Sequence, residues 1–557
     1  MRSDSTKLVQ SGLLLTFVFL TACDSDDVKS SCIPASAPAP VAASTPAPVI
    51  TSMGTDFFLT LPDHICISDP AQCVHMPVSN KLIIASAAAN MTATTGEVTF
   101  NGLITPFSVT AGGQVVISLD PPSYNSYDPN TYNSSPVLIT NEVVEAKGIH
   151  VTSLAPVSVH VVSESAYSAD GYLALPTAGL GTNYYVMSYS SLSQTGSEFA
   201  VVATQNATTV TITPKSAGST HPAGTAFTVL LNSGETYQMQ NPGNADMTGT
   251  YVSADKPIAV FSGHRFANVP SDKRWSDYMV EQLPDVSIWG KTHHTSLFSG
   301  RSDYTVRVMA SQNNTTFTTI PAAHGAAIGT LNAGQFADVV LTGPGEFVSN
   351  NPVLVAQFIR GYDAETVLAK KGDPSMVMVT PAEQGMTDST FGVYGLNRTI
   401  LDPSPFMNVV TETAGLVNLK LDNVVVNPAL FTSMGGTSIY SVGTIPVSPN
   451  AVHSLVGSAP YSALVYDYGI ASNAVSYAYP VAATLTLPAS APATSTVTTS
   501  TANTLPAACV ADVNAGGEQT HADSGNDSHA RNDIHVHPHH GDNDGHHDDD
   551  DMLDYRA

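Results

Sequence analysis

Apolar and polar residues alternate with a period of two in short runs through the middle of the chain, as in TVTIT (209–213), FTVLL (227–231) and IAVF (258–261). Asn, Gly and Pro bound these runs, and no amphipathic stretch of helical spacing and useful length appears, so half-buried β-strands are predicted throughout. The strands recur. APVSVHVV (155–162), KPIAVFSG (256–263), NPVLVAQF (351–358) and APYSALVY (459–466) each open on X-Pro, with prolines at 156, 257, 352 and 460, spaced by 101, 95 and 108 residues. A second proline follows each, at 176, 284, 381 and 480. Ahead of the X-Pro strand, VVATQNATTVTITP (201–214) parallels VMASQNNTTFTTIP (308–321), and LNSGETYQM (231–239) parallels LNAGQFADV (331–339). Several features in one order at one period mark internal repeats.

The pattern predicts an all-β body of four tandem β-sandwich-like repeats of about 100 residues, at 53–190, 191–295, 296–395 and 396–482. A proline opening each strand fits, because there it forfeits no ladder hydrogen bond. The alternative is a propeller-like closed array, although a blade ordinarily needs only ~40–50 residues.

The ends read differently. Arg2 and Lys7 precede the apolar run LVQSGLLLTFVFLTA, too short to span a bilayer and suited to an export signal over 1–22. It closes on LTAC (20–23), which resembles a bacterial lipobox and makes Cys23 the candidate for lipidation, with several acyl chains on one residue giving a stable membrane anchor. The chain is expected to be an exported, membrane-anchored lipoprotein at the cell surface or in the periplasm. Residues 23–52 carry the anchor and a Pro/Ala stalk, extended at ~3.1 Å per residue. Residues 483–520 form a Ser/Thr/Ala/Pro-rich linker. Export permits disulfides among Cys32, Cys66, Cys73 and Cys509, for which three connectivities exist; Cys66 with Cys73 and Cys32 with Cys509 is one of them.

Charge is sparse, at 12% of residues, and the net charge is −26. No basic stripe offers the counterion release on which nucleic-acid binding depends, which excludes that class. Residues 521–557 have almost nothing to bury and are expected to be disordered. They hold 8 of the 18 histidines beside ten aspartates. His535, His537, His539, His540, His546 and His547 with Asp548 and Asp549 are candidate ligands for zinc, nickel or copper, binding best when the imidazoles are neutral. The folded body requires no cofactor.

Catalytic signatures are missing: there is no Gly-x-Ser-x-Gly, His-Glu-x-x-His or phosphate-cradling Gly-x-x-x-x-Gly-Lys-Ser/Thr. His293 and His294 are adjacent in a strand and face opposite ways, so they would not share a metal, and His264 at a strand end reads as structural. One stretch departs from the general tone. FSGHRFANVPSDKRWSDYMVEQLPDVSIWG (261–290) holds both tryptophans and a cluster of bases. It reads either as a crossover closing one unit on the next or as a recognition loop. In the second reading Arg265, Asn268, Lys273, Arg274, Trp275 and Tyr278 face a partner, because Trp, Tyr and Arg concentrate binding energy.

DGYLALPTAGLGTNYYVMSY (170–189), SEFAVVATQNATTVTITP (197–214), GETYQ (234–238), DKPIAVFSGH (255–264), ANVP (267–270) and VEQLP (280–284) together resemble the N-terminal domain family of the IgG Fc-binding protein. The resemblance is dense over about 165–345 and thinner through 53–482. It implies a non-enzymatic protein acting in adhesion or recognition of a glycoprotein, mucin or other protein. Family members usually carry cysteines where this chain has Phe266 and about Ser276, so packing of Phe266 and Trp275 would have to replace a disulfide here. GDPS (372–375) resembles the Gly-Asp-Pro-His site of autocleaving mucin-type domains, with Ser375 in place of the histidine. Two rival functions remain at this stage: a metal-handling lipoprotein acting through the tail, and an exported hydrolase with a dispersed site.

Overall fold

Pro156, Pro352 and Pro460 each stand where one long strand bends and changes partners within its sheet. The computed structural model describes residues 49–64, 78–87, 90, 92–120, 134–165, 167–192, 196–366, 371–396, 405–469 and 475–486. The export signal, Cys23, Cys32, Cys66, Cys73, Cys509 and the histidine tail lie outside them.

In the first unit the long strand Ile149–Glu164 pairs through its first half with Gly54–Leu59 and Thr94–Phe100. Its second half pairs with Ser79–Ser86 and Ala169–Leu173. Gly345–Ile359 in the third unit and Ala451–Tyr468 in the fourth divide their partners in the same way. At each bend the register jumps: Gly54 faces Val157 but Asp56 faces Thr152, Gly290 faces Val353 but Thr292 faces Val348, and Met386 faces Tyr461 but Asp388 faces Val456. The proline lies inside every gap, where its missing N–H costs nothing. In the second unit the bend is a full break, so that Tyr251–Ala254 and Ile258–Ala267 flank Pro257 in separate sheets.

In the first, third and fourth units one bent strand thus carries different partners on either side of its bend, and in the second the two sets form separate sheets. The matched hairpins share their turn positions. Gly234 (φ 78°) and Gly334 (φ 72°) take the same left-handed turn position, as do Ala207 (φ 54°) and Asn314 (φ 58°). A strand Phe227–Leu231 of the second unit is replaced in the third by a six-residue helix, Ala323–Ile328. Ala-rich and barely one and a half turns long, it carries no helical periodicity to detect in the sequence.

No unit completes its own core. The first core includes Phe261, Tyr278 and Val280 of the second unit, the second includes Leu354, Phe358 and Met376 of the third, and the third includes Tyr466, Tyr468 and Ala478 of the fourth. The fourth core takes Ile83, Val162 and Ala169 from the first, which closes the array. A clasp seals the closure: Leu485 N–H donates to Ile50 O at 2.7 Å, Ser52 N–H to Ala483 O at 2.9 Å, and Ala483 N–H to Ser52 Oγ at 3.1 Å. The body is all-β and built of sandwich-like repeats, and these meet in a closed ring.

Candidate functional site

The strands Ile258–Ala267 and Asp277–Gln282 form a hairpin, and the base-rich stretch is its tip. Burial along these strands and just beyond the first decides three of the six candidate residues. Tyr278 is buried, its ring 4.6 Å from His64 and its hydroxyl donating to Pro62 O at 3.1 Å. Asn268 is buried and accepts from Ser191 Oγ at 2.6 Å. Arg265 pairs with Asp63 of the first unit at 3.3 Å, and its stem lies against Gly196. Tyr278 and Arg265 join the second unit to the first and Asn268 bonds within its own unit, so all three are engaged in the body and do not face a partner.

Lys273, Arg274 and Trp275 are exposed, Trp275 to 40%. Trp275 holds a left-handed backbone (φ 69°), a conformation costing a bulky residue roughly 1–3 kcal/mol. The third unit supports it. Val269 O accepts from Gly361 N–H at 2.6 Å, and the Tyr362 ring meets the indole edge-on with centroids 6.0 Å apart. A Cβ on Gly361 would come within 2.9 Å of Trp275 O and 3.0 Å of Arg274 O, so only glycine permits this approach. The loop thus closes one unit on the next and also presents side chains outward. Among the described residues every other arginine pairs with a carboxylate; Arg274 does not. Phe266 and Trp275 do not substitute for a disulfide by packing together: Phe266 lies against the first core and Trp275 against Tyr362.

Behind the tip runs an axis of four strands, Ala169–Leu173, Asp277–Gln282, Ser375–Met378 and Ser476–Pro480. Each pairs only with its own long strand. Side chains supply the bonds between them. Asp170 Oδ2 accepts from Val280 N–H at 3.1 Å and Met376 N–H at 3.2 Å, and Oδ1 from Ser375 Oγ at 2.8 Å and Ala478 N–H at 3.3 Å. One carboxyl thereby joins all four units. Asp277 accepts from Ala169 N–H at 2.9 Å and Ser476 N–H at 3.4 Å, and Glu281 from Met378 N–H at 3.1 Å. Asp373 Oδ1 accepts from Tyr362 N–H at 2.9 Å. Ser375 and Asp373 of the GDPS segment belong to this axis. All four acids are buried and bonded to backbone, an arrangement that fixes strands.

Burial pushes the carboxyls of Asp170, Asp277 and Glu281 well above the usual range, and that of Asp373 up to about 8 despite the opposing Tyr362 N–H. Burial likewise depresses His64, His264 and His293 to about 3 and His160 to about 4. The two sets act in opposite directions on stability. The contribution of Asp373 is complete below about pH 3.8 and is lost as pH rises toward 8; that of the histidines is complete above 6.5 and is lost as pH falls toward 3. Between pH 6.5 and 8 only the carboxyl side changes. The urea midpoint is expected to fall across that interval, and Asp373→Asn, which keeps the acceptor for Tyr362, to flatten the fall. An equal slope in the variant would refute this assignment.

His293 and His294 share no partner: His294 Nε2 lies 3.2 Å from Glu346 Oε2, while His293 is buried. His264 is buried and accepts from Phe266 N–H at 3.0 Å. Among the described residues no three His, Cys, Asp or Glu side chains converge where a metal could sit.

The sequence model for the IgGFc binding protein matches residues 170–466, just over half of the chain. The chain belongs to the IgGFc binding protein family. A human protein named IgGFc-binding protein is 29% identical over 265 residues, 42% of this chain, and the chain spans about 5% of that relative's length. A solved structure described as a Ca2+-stabilized adhesin with which an Antarctic bacterium binds ice covers 77% of this chain and 98% of its own. Its TM-score is 0.10 at 10% identity, so no shared fold is argued from it. The match to the IgGFc binding protein family takes in the hairpin tip, Gly361 and Tyr362, and all but the last axial strand. The axial acids were missed by motif reasoning. Their signal was an acid six to eight residues before the second proline, at Asp170, Asp277 and Asp373, in a chain that is otherwise poor in charge.

Proposed function

We propose that this chain is a non-enzymatic recognition protein that takes a protein or glycoprotein ligand through Lys273, Arg274 and Trp275. One observation carries this reading. The tip leads into the start of the second axial strand, whereas both ends of the body meet in the clasp beyond the other end of the axis. Segments leaving at Ile50 and Leu485 would hold the body from behind and leave the tip outward. An acyl anchor on Cys23 and the Pro/Ala stalk suit such a mount, at the cell surface or in the periplasm. Within the interface Arg274 and Trp275 would act as anchors, since Trp and Arg dominate binding hot spots. Their rigid seat on Gly361 lowers the ordering cost of binding.

The test is capture of the full chain on an array of glycoproteins and glycans. Arg274→Ala/Trp275→Ala is expected to lose at least tenfold in capture with an unchanged melting midpoint. Undiminished capture would reject the tip. The His/Asp tail would add weak, pH-dependent divalent-metal binding, so zinc titration with and without residues 521–557 belongs to the same experiment. Zinc bound equally by both forms would reject the tail as ligand.

A further inference from the structure

Lys273, Arg274 and Trp275 stand on the turn between Ala267 and Asp277, outside any strand. Lys371 leads into the third axial strand at the same end of the axis. Tyr362 links the two places, because its ring meets Trp275 and its N–H donates to Asp373. Most acids around the turn are matched or uncharged. Asp303 pairs with Arg360 and Glu365 with Arg301, while burial keeps the carboxyls of Asp277 and Asp373 protonated at neutral pH. Asp272 and Asp363 stand beside Lys273, Arg274 and Lys371, so bases are in excess at this turn of a chain whose net charge is −26.

Charge and shape narrow the ligand. A guanidinium offers parallel N–H donors that match the oxygens of a carboxylate or a sulfate. The indole of Trp275 is 40% exposed, and its seat on the third unit fixes it before any ligand arrives. Its electron-rich face suits the C–H face of a pyranose ring. An extended peptide is instead held along a strand edge or in a groove, and the turn has no strand edge to offer. Granted the tip as the recognition surface, we propose that its ligand is a terminal sugar bearing an anionic group, the carboxylate of a sialic acid or a sulfate, with the ring on Trp275 and the anion on Arg274 and Lys273. The acidic remainder of the chain repels such a ligand and steers it to the tip.

Binding of the full chain to immobilised probes tests this: a glycan ending in galactose, the same glycan capped with sialic acid, the same glycan sulfated on that galactose, and a hexaglutamate peptide. At ~50 mM salt one or both anionic glycans are expected to bind at least tenfold more tightly than the neutral one, the scale of a charge-assisted hydrogen bond. The advantage should shrink at ~500 mM, where screening is stronger, and the glycan that gains identifies the anion. Arg274→Gln is expected to erase the advantage at an unchanged melting midpoint, with Lys273→Gln as the second variant if the first does not fold. Equal binding of neutral and anionic glycans, lost in Trp275→Ala, would overturn the anionic ligand and leave the tip as a recognition surface. Hexaglutamate bound as tightly as the anionic glycans would overturn the sugar, and so would a tip that captures protein but none of these glycans. An advantage kept in both Arg274→Gln and Lys273→Gln would overturn this ligand and the tip together.

Discussion

Replacing Asp170 by asparagine is expected to remove about 3–5 kcal/mol of stability, a large part of the ~5–15 kcal/mol typical of a folded protein. The shape is unchanged, so the loss is one of hydrogen bonding alone. Whichever side receives the new NH₂, two donors lose their acceptor: either Val280 and Met376 N–H, or Ser375 Oγ and Ala478 N–H. These donors come from three other units, and no water-facing surface lies nearby to receive them. Each orphan costs about 1–3 kcal/mol, and the amide adds a donor facing donors. Asp255→Asn is the comparison. Its Oδ1 accepts from Thr209 N–H at 2.8 Å on the exposed rim, where water can substitute, so under about 1 kcal/mol is expected. Urea midpoints followed by circular dichroism would measure both. A D170N loss no larger than that of D255N would mean that the axis does not hold the units together.

What could be read from sequence and what could not divides along range. Pro156, Pro352 and Pro460 were half legible: a proline acts through its own backbone, so a place without a ladder hydrogen bond could be read locally, but each lies at a bend inside a long strand and does not open one. Gly234 and Gly334 were legible for that local reason. Closure was not. Whether a sandwich exposes its flank or lays it on a neighbour depends on residues such as Phe358 and Tyr466, which look like ordinary core positions of their own unit. The axial acids were hidden in another way: an aspartate near a strand end reads as solvated until four strands are seen to converge on it. Which residues of the base-rich loop are exposed was half legible. Its composition pointed to Lys273, Arg274 and Trp275, but Asn268 and Tyr278 turned inward because the hairpin begins and ends earlier than the motif does. Gly361, which seats the tip, lies in the next repeat and bore no mark that linked it to Trp275.

Arg307→Met is expected to cost about 3 kcal/mol, and the physical reason lies in a difference between repeats. In the matched hairpins Arg307 occupies the place of Ala200, so the periodicity that exposed the repeat also disguised its exception. Arg307 is 2% exposed. It makes two parallel bonds to Asp338, at 2.7 Å each, and one to Asp246 at 2.6 Å, and it also donates to Ser188 O and Thr248 Oγ1. The rings of Phe336 and Tyr189 lie 4.1 and 4.6 Å from it. Asp246 and Thr248 belong to the second unit, and the segment of Ser188 and Tyr189 packs with its core, so the residue bolts the third unit onto the second. Methionine preserves apolar contact with the rings, which isolates the charge. Stranding buried partners ordinarily costs about 3–5 kcal/mol, and the lower figure applies because the Asp338 side chain is 34% exposed and can rehydrate. Neutralising the stranded acids should then restore stability: the triple variant Arg307→Met/Asp246→Asn/Asp338→Asn is expected to recover at least half of the loss. If the single variant matched wild type in its urea midpoint, the cluster would be a surface ornament and the joint between these units would rest on apolar packing alone.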